Sequence, residues 1–181
     1  MTPRDLLHRL PDAVSERVRP VAERDIAVDG NHVVYWMHDA VRGHENPALD
    51  VARLAAAELD VPMVVYQGLG GGHRFDNDRH HTFILEGARD VRAEPAKQGI
   101  DHVFWLGDKP AFPSPLIPRA AEAALAVTED FPSPPFPRWS AGLADRIQAP
   151  VWAVDTACVV TMRLLGLRPG TVQASFFDAV K

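Results

Sequence analysis

Five short apolar runs, separated by longer stretches with helical signals, constrain the fold of this chain more than any other feature. The first run, residues 32–37, follows the turn pair Asp29-Gly30 and is rich in β-branched and aromatic residues. The other runs cover residues 63–66, 103–106, 124–128 and 151–154. Near-continuous apolar strands that alternate with helices are typical of a parallel sheet covered on both faces. The pattern therefore predicts an α/β fold with a five-stranded parallel sheet, doubly wound as a Rossmann-like three-layer sandwich.

Start and stop signals place helices between the predicted strands. Asn46 is expected to cap a helix that has Pro47 at its first position. A second helix should open near Asp78, and Pro95 should end or kink it because proline lacks the backbone donor. Its apolar side is predicted to carry Phe83, Ile84, Ala88 and Val91. Shorter helices are predicted over residues 13–18 with Asp12 as the cap, over 119–123 and over 138–147.

Composition favours a single globular domain. The 181 residues include 46% hydrophobic and 24% charged side chains, an ordinary globular mixture. The net charge of −5 argues against a freestanding nucleic-acid binder, which usually shows a basic excess. Cys158 is the single cysteine, so no intramolecular disulfide can form. No apolar run approaches the roughly 20 residues of a membrane span, so no membrane partner is expected. The protein is expected to be monomeric and cytoplasmic.

The expected organisation of the chain has three parts. Residues 1–31 form an N-terminal arm, residues 32–157 form the α/β domain, and residues 158–181 form a linker. The arm is the most basic part of the chain because of its arginines, which are Arg4, Arg9, Arg17, Arg19 and Arg24. An arm packed on the edge of the domain is the favoured interpretation, and contact with a nucleic-acid backbone is the alternative.

Glycines and histidines cluster after the second predicted strand. The segment from Gly68 to His73 follows a strand and precedes a helix, as a dinucleotide-binding fingerprint does. However, His73 occupies the place of the third glycine, so a surface loop is the favoured interpretation. His80 and His81 are adjacent and would diverge by about 100° on a helix, so no metal site is predicted.

The polar loop after the first predicted strand is a better candidate for a ligand site. It contains His38, Asp39, His44 and Glu45. Ligands of open α/β sheets bind in the crevice at the carboxyl ends of the strands. For each of these side chains taken singly, a solvated loop is the simpler interpretation. No serine lies in a nucleophile elbow, no catalytic residue is assigned, and a buried, unreactive thiol is expected for Cys158.

Short motifs follow one another in a characteristic order along the chain. The first consists of Tyr35-Trp36-Met37, then Arg42, then Asn46 with Ala48-Leu49. The others are Arg79-His80 with Phe83 and Leu85-Glu86-Gly87, Gly99-Ile100, Arg138-Trp139 and Val154-Asp155. In this order they resemble the motifs of class II cyclobutane pyrimidine dimer DNA photolyases. The resemblance covers roughly residues 17–165.

The resemblance implies a two-part, light-driven lyase. In such a protein an α/β domain precedes an all-helical domain that holds FAD and receives the dimer flipped out of damaged DNA. Light excites the reduced flavin, which donates an electron to split the dimer. Residues 158–181 would then lead towards a missing helical domain, and the chain alone would not be catalytic. Its expected partners are that FAD domain of the same protein and, through it, damaged DNA.

In some members of this family the α/β domain also holds a light-harvesting antenna, such as a deazaflavin or a folate. The strand-end loops are the expected place for it, because aromatic and backbone groups there can stack on and hydrogen-bond a flat ring. The residues expected to contact the ring are Trp36, Met37, Arg42, Gln67 and Gly68. For Arg42, a salt bridge to the carboxylates of its own loop is an equally good interpretation.

Two other functions are compatible with the same fold. One is a freestanding nucleotide-binding or protein-interaction domain, as in electron-transfer flavoproteins. The other is a cryptochrome-like light sensor. Fold alone does not choose among them.

Overall fold

The computed structural model describes residues 2–27, 29–71, 76–107 and 114–164. The helices in these ranges are α1 (Pro3–Arg9), α2 (Asp12–Ser15), α3 (Pro47–Leu59), α4 (Asp78–Lys97), α5 (Leu116–Ala121) and α6 (Phe136–Ala144). The strands are β1 (Val18–Ala22), β2 (Val33–Trp36), β3 (Met63–Gly70), β4 (Asp101–Gly107), β5 (Leu125–Asp130) and β6 (Val151–Asp155).

The sheet has six strands in the order β1-β6-β5-β2-β3-β4. Strands β2 to β6 are parallel, as predicted, and β1 pairs antiparallel with β6, with Val18 opposite Val154. The prediction of a five-stranded, all-parallel sheet is therefore wrong by one strand, which lies in the segment predicted as an arm. Pro20 made this segment resemble a loop, but proline is tolerated on an edge strand, where its missing donor breaks no inner ladder.

Helices cover both faces of the sheet, which confirms the doubly wound three-layer arrangement. Leu6 of α1, Val51 of α3 and Val91 of α4 lie in one buried cluster with alternate residues of the strands. Ala120 of α5 and Leu143 of α6 lie in a second cluster on the opposite face. The chain winds from β2 through β3 to β4 on one side, and the remaining parallel strands, β5 and β6, lie on the other side of β2.

Local signals predicted the starts of α3 and α4 correctly. Asn46 caps α3 as expected, because its side chain accepts hydrogen bonds from the N–H groups of Ala48 and Leu49. Asp12 is the first residue of α2 rather than its cap, and α2 is shorter than predicted. Helix α4 continues to Lys97, two residues beyond Pro95, since a proline in the last turn displaces only one hydrogen bond.

The predicted apolar side of α4 is partly wrong. Ala88 and Val91 are buried, but the side chain of Phe83 is 76% exposed.

Two other corrections concern the first and last residues of helices. Helix α5 begins at Leu116, before the predicted range, and α6 spans Phe136–Ala144 rather than residues 138–147.

Candidate functional site

The strand order reverses between β2 and β5, and at this switch point an open α/β sheet usually binds its ligands. Here the fully buried carboxylate of Glu129, near the end of β5, fills the crevice. Its Oε1 accepts hydrogen bonds from the Tyr35 hydroxyl at 2.6 Å and from the Ala40 N–H at 3.0 Å. Its Oε2 accepts from the N–H groups of His38, at 2.9 Å, and Asp39. Backbone donors that could cradle a phosphate are thus already satisfied by an internal carboxylate.

Asn46 connects this crevice to α3. Its Nδ2 donates to the carbonyl oxygens of Ala40, at 2.9 Å, and Arg42, at 3.0 Å, and it also contacts the Tyr35 hydroxyl. Burial raises the pKa of the Glu129 carboxyl, while the hydrogen bonds that it accepts favour its ionised form. The loop after β2 is therefore fixed from both ends, by a carboxylate and by a helix cap.

His38 lies between the sheet and α6. Its Nε2 is 2.9 Å from the Thr128 hydroxyl, and burial lowers the pKa of His38 to about 4, so the ring is neutral at pH 7. Its ring contacts three aromatic side chains, with centroid distances of 4.8 Å to Trp36, 5.3 Å to Phe136 and 5.5 Å to Trp139. The neutral ring of His38 thus packs at the centre of an aromatic cluster.

A cleft of about 360 Å³ opens beside this cluster, between α5 and α6. Its walls include two tryptophans, Trp36 and Trp139, and two arginines, Arg138 and Arg146, together with apolar residues of the two helices. The indole rings of Trp36 and Trp139 are 6.1 Å apart and tilted by 32°. A cleft of this size with aromatic walls and few polar groups suits a small flat ligand.

The five residues predicted to contact an antenna do not lie on one side of the sheet. Trp36 lines the cleft, and Gly68 lies on the same face, beside Tyr66. Met37 is fully buried in the cluster on the opposite face. Alternation along β3 also directs Gln67 away from the cleft, and its buried Oε1 has no hydrogen-bond partner. The antenna site therefore stays a prediction, with only Trp36 in the cleft.

Arg42 belongs to neither face. Its guanidinium donates to the carbonyl oxygens of Glu45, at 2.9 Å, and Thr156, at 3.2 Å, so it binds backbone rather than the loop carboxylates. His44, in the same loop, pairs with Glu94 of α4 at 3.1 Å. These contacts tie the loop to its neighbours. Among the described residues, Arg42 forms no salt bridge with the carboxylates of its own loop, and its contact with an antenna stays a prediction.

The arginines of the predicted arm all have partners within the chain, which favours the packed-arm interpretation. Arg19 forms a bidentate pair with Asp130, with both distances 2.7 Å. Arg17 donates to the carbonyl oxygens of Asp155 and Cys158. The other three also have partners: Arg4 pairs with Glu23, Arg9 with Glu58, and Arg24 donates to the carbonyls of Ala144 and Ile147.

The remaining strand-end carboxylate, Asp155 of β6, organises the chain that follows. It accepts hydrogen bonds from the N–H groups of Ala157, Cys158 and Met162. Burial, with the nearby Asp155 carboxylate, raises the pKa of the Cys158 thiol to about 11. The thiolate is the reactive form, so a raised pKa lowers the reactivity of Cys158, but the residue is only half-buried rather than buried as predicted.

The glycines and histidines that follow the second predicted strand border a smaller pocket of about 190 Å³, whose walls include Gly70, Gly71 and His81. Gly68 and Gly70 belong to β3 rather than to a loop, and Gly72 and His73 lie outside the described residues. Within the ranges that the structure describes, no group of His, Cys, Asp and Glu side chains is arranged to hold a metal ion. No described helix is long and apolar enough to cross a membrane.

Sequence reasoning missed Glu129, the residue that closes the switch point, and Arg146 of the cleft. The available signal for Glu129 was a pair of acidic residues, Glu129-Asp130, directly at the end of an apolar strand. Charged side chains are almost never fully buried without partners. Trp139 and Arg138 were noted only as a motif, because nothing local placed them beside Trp36.

The fold and the strand-end cleft define an open, doubly wound α/β domain. The chain belongs to the DNA photolyase family, whose profile matches residues 33–173. A curated relative, the deoxyribodipyrimidine photo-lyase of Methanothermobacter thermautotrophicus, is 38% identical over 115 residues, which are 64% of this chain. The chain spans only 25% of the length of that relative.

One solved structure agrees with this chain at the level of the fold. A class III photolyase from Agrobacterium tumefaciens superposes with a TM-score of 0.50 at 16% identity, over 68% of this chain and 26% of that one. A universal stress protein from Archaeoglobus fulgidus, solved with dAMP, gives a TM-score of 0.48 at 19% identity, over 71% and 100% of the respective chains.

Proposed function

We propose that this chain is the N-terminal α/β domain of a class II-like photolyase, whose full form repairs cyclobutane pyrimidine dimers in DNA with light and reduced FAD. The observation that carries the proposal is the family match over residues 33–173, supported by the 38% identity to a deoxyribodipyrimidine photo-lyase. The class II assignment rests on the five sequence motifs from Tyr35 to Asp155.

Catalysis would belong to a helical partner domain. The strand-end carboxylates Glu129, Asp130 and Asp155 accept hydrogen bonds from donors within this chain, so they are not free to act on a substrate. FAD does not fit the cleft beside Trp36, because about 360 Å³ is at the small end of ligand pockets and suits one ring system rather than a dinucleotide. This chain would therefore scaffold the FAD domain, which would also contact the damaged DNA.

An antenna role for this domain is part of the same proposal. Trp36 and Trp139 offer aromatic surface at the carboxyl end of β2, where ligands of such sheets bind. Filling of the switch point by Glu129 argues against the alternative of a freestanding nucleotide binder, since the backbone donors for a phosphate are occupied. The antenna, a deazaflavin or a folate, would then lie beside the crevice rather than in it.

The decisive experiment uses the natural, full-length product of the gene. We expect that it contains FAD and repairs thymine dimers in an irradiated oligonucleotide in light but not in the dark. A product that binds FAD but repairs nothing would indicate a light sensor, and a product without flavin would contradict the photolyase assignment. In parallel, the 181-residue chain should bind neither ATP nor AMP tightly, and tight binding would support the nucleotide-binding alternative.

A further inference from the structure

We infer that two copies of this chain pair through the free edge of strand β4, antiparallel and about a twofold axis, so that their sheets become continuous. Strand β4 (Asp101–Gly107) lies at one edge of the sheet, and within the described ranges only β3 pairs with it. The inference differs from the monomer expected from the sequence. It does not depend on the proposed repair function, because it concerns how the α/β domain associates.

The directions of the backbone groups show which residues of β4 face outward. The Gly107 carbonyl accepts a hydrogen bond from the Gly71 N–H at 2.9 Å, so it points towards the side of β3. Backbone groups alternate between the two sides of a strand, so the N–H and C=O groups of His102, Phe104 and Leu106 point away from the sheet. In the parts of the chain that the structure describes, no hydrogen bond reaches these outward groups. They are therefore open to another strand.

The opposite edge of the sheet, strand β1, is protected. The Arg17 carbonyl accepts from the Asp155 N–H at 3.0 Å, so it points inward. By alternation, the outward groups of β1 belong to Val18 and Pro20. Arg163 donates to the Val18 carbonyl at 3.3 Å, Pro20 has no N–H to offer, and the register shifts directly after Pro20. Natural sheets avoid edge pairing by such devices. Pairing through β4 alone would therefore close at two copies instead of growing into a fibre.

The sequence of β4 suits antiparallel pairing with its own copy. If the pairing is centred on Phe104, the facing pairs are Phe104 with Phe104, His102 with Leu106, Val103 with Trp105, and Asp101 with Gly107. The first three pairs each contain an aromatic ring, which favours cross-strand packing. The acidic side chain of the strand faces a glycine, so like charges do not meet. The outward groups would form about six backbone hydrogen bonds, two for each facing pair that presents them.

Apolar side chains are exposed at the carboxyl end of β4. Leu106 is 62% exposed, and it lines a pocket with His81, which places the N-terminal part of α4 beside it. Phe83, in that part of the helix, is 76% exposed. Pairing would cover Leu106, which is unfavourably placed in water. A seven-residue strand is only about 23 Å long, so we expect a small interface and a dissociation constant of about 10 μM.

The first test is the oligomeric state in solution. Sedimentation velocity would be measured for the natural, full-length product of the gene and for the 181-residue chain, which has its own buried clusters on both faces of the sheet. Between about 1 and 200 μM, both should change from monomer to dimer. A full-length product that stays monomeric over this range would overturn the inference, even if the 181-residue chain dimerises. Species larger than a dimer would contradict closure at two copies.

A matched pair of lysine variants tests whether β4 carries the contact. Leu106→Lys should weaken the dimer at least about tenfold, because a charge on an edge strand opposes pairing. Val159→Lys is the control, since Val159 is 95% exposed but follows β6, near the opposite edge of the sheet. Both side chains are exposed, so unfolding curves should stay unchanged. An unaffected dimer in Leu106→Lys, or equal weakening by Val159→Lys, would overturn the inference.

Disulfide cross-linking tests the register. In a Cys158→Ser background, Phe104→Cys would place the two thiols opposite each other, with Cα atoms about 5.5 Å apart, within reach of a disulfide. In Leu106→Cys the two thiols would be about 14 Å apart along the strands. We expect mild oxidation to link Phe104→Cys into dimers at least about tenfold faster than Leu106→Cys. Equal rates, or faster linkage of Leu106→Cys, would overturn the proposed pairing and leave the repair function untouched, because light-dependent repair tests that function separately.

Discussion

Replacing Glu129 by glutamine tests whether an internal carboxylate closes the switch-point crevice. The change keeps the shape of the side chain but turns one acceptor oxygen into a donor group. If the amide nitrogen takes the place of Oε2, the N–H groups of His38 and Asp39 both face a donor. If it takes the place of Oε1, only the Ala40 N–H does, since the Tyr35 hydroxyl can rotate to accept. The second orientation costs less and sets the expected effect.

The magnitude follows from those contacts. One buried N–H without an acceptor costs about 1–3 kcal/mol. The two hydrogen bonds that remain lose their charge-assisted character, at about 1 kcal/mol each. Burial of a neutral amide instead of a carboxylate offsets part of this cost, in line with the raised pKa of Glu129. We expect a net loss of about 2–4 kcal/mol in the free energy of unfolding, and a fall in Tm of roughly 5–15 °C for a domain of this size.

The assay is urea-induced unfolding of the 181-residue chain, followed by circular dichroism and tryptophan fluorescence. Hydrogen exchange at His38, Asp39 and Ala40 should become faster in the Glu129→Gln variant. Glu122→Gln, which changes an exposed carboxylate, should stay within about 0.5 kcal/mol of the unmodified chain. If Glu129→Gln also stays within that range and exchange in the loop is unchanged, the carboxylate does not hold the crevice closed.

Three further predictions follow from other contacts. In urea unfolding, Asn46→Asp should lower the free energy of unfolding by about 2 kcal/mol, because it keeps the cap acceptor but loses the donors to two loop carbonyls, and a variant as stable as the parent would contradict this role of Asn46. Since burial lowers the pKa of His38 from 6.5 to about 4, the folded state resists protonation, and the unfolding free energy should fall by up to about 3 kcal/mol as the pH drops from 6.5 to 4. Urea titrations at successive pH values should show a smaller slope for His38→Gln, with the rest coming from groups such as His32 and His102, whose pKa values burial also lowers, and an unchanged slope would contradict the assignment. Asp130→Asn should lower the free energy of unfolding by about 1–2 kcal/mol, because it weakens the bidentate pair with Arg19. A variant as stable as the parent would show that the pair contributes nothing to stability.

How far the fold could be predicted depended on how local its signals are. The parallel strands, such as Val33–Trp36, are buried on both faces, so their sequences are continuous apolar runs. The cap at Asn46 is equally local, because the residues that it binds follow directly along the chain. Strand β1 was not predicted, because an edge strand that contains Arg19 and Pro20 has no continuous apolar run. Its position depends on pairing with β6, which is distant in sequence.

The candidate site was harder to predict, because it is built from contacts between residues that are far apart in the sequence. Glu129 binds backbone groups 89–91 residues earlier in the chain, and no spacing rule connects a strand-end acid to a loop so far away. The rule that did apply, alternation along a strand, separates Trp36 from Met37 and Gly68 from Gln67. Applied to the sequence, it would have divided the five antenna candidates between the two faces.

The filled crevice and the open cleft have one consequence when they are taken together. In open α/β sheets the switch point usually supplies the donors that hold an anionic ligand group. Here Glu129 takes those donors, so the switch point has none of them left for an anionic group. The antenna that we propose would therefore lie on one face of the sheet, beside Trp36, rather than over the ends of β2 and β5. A substitution at Glu129 should therefore change the free energy of unfolding more than it changes the affinity for an antenna.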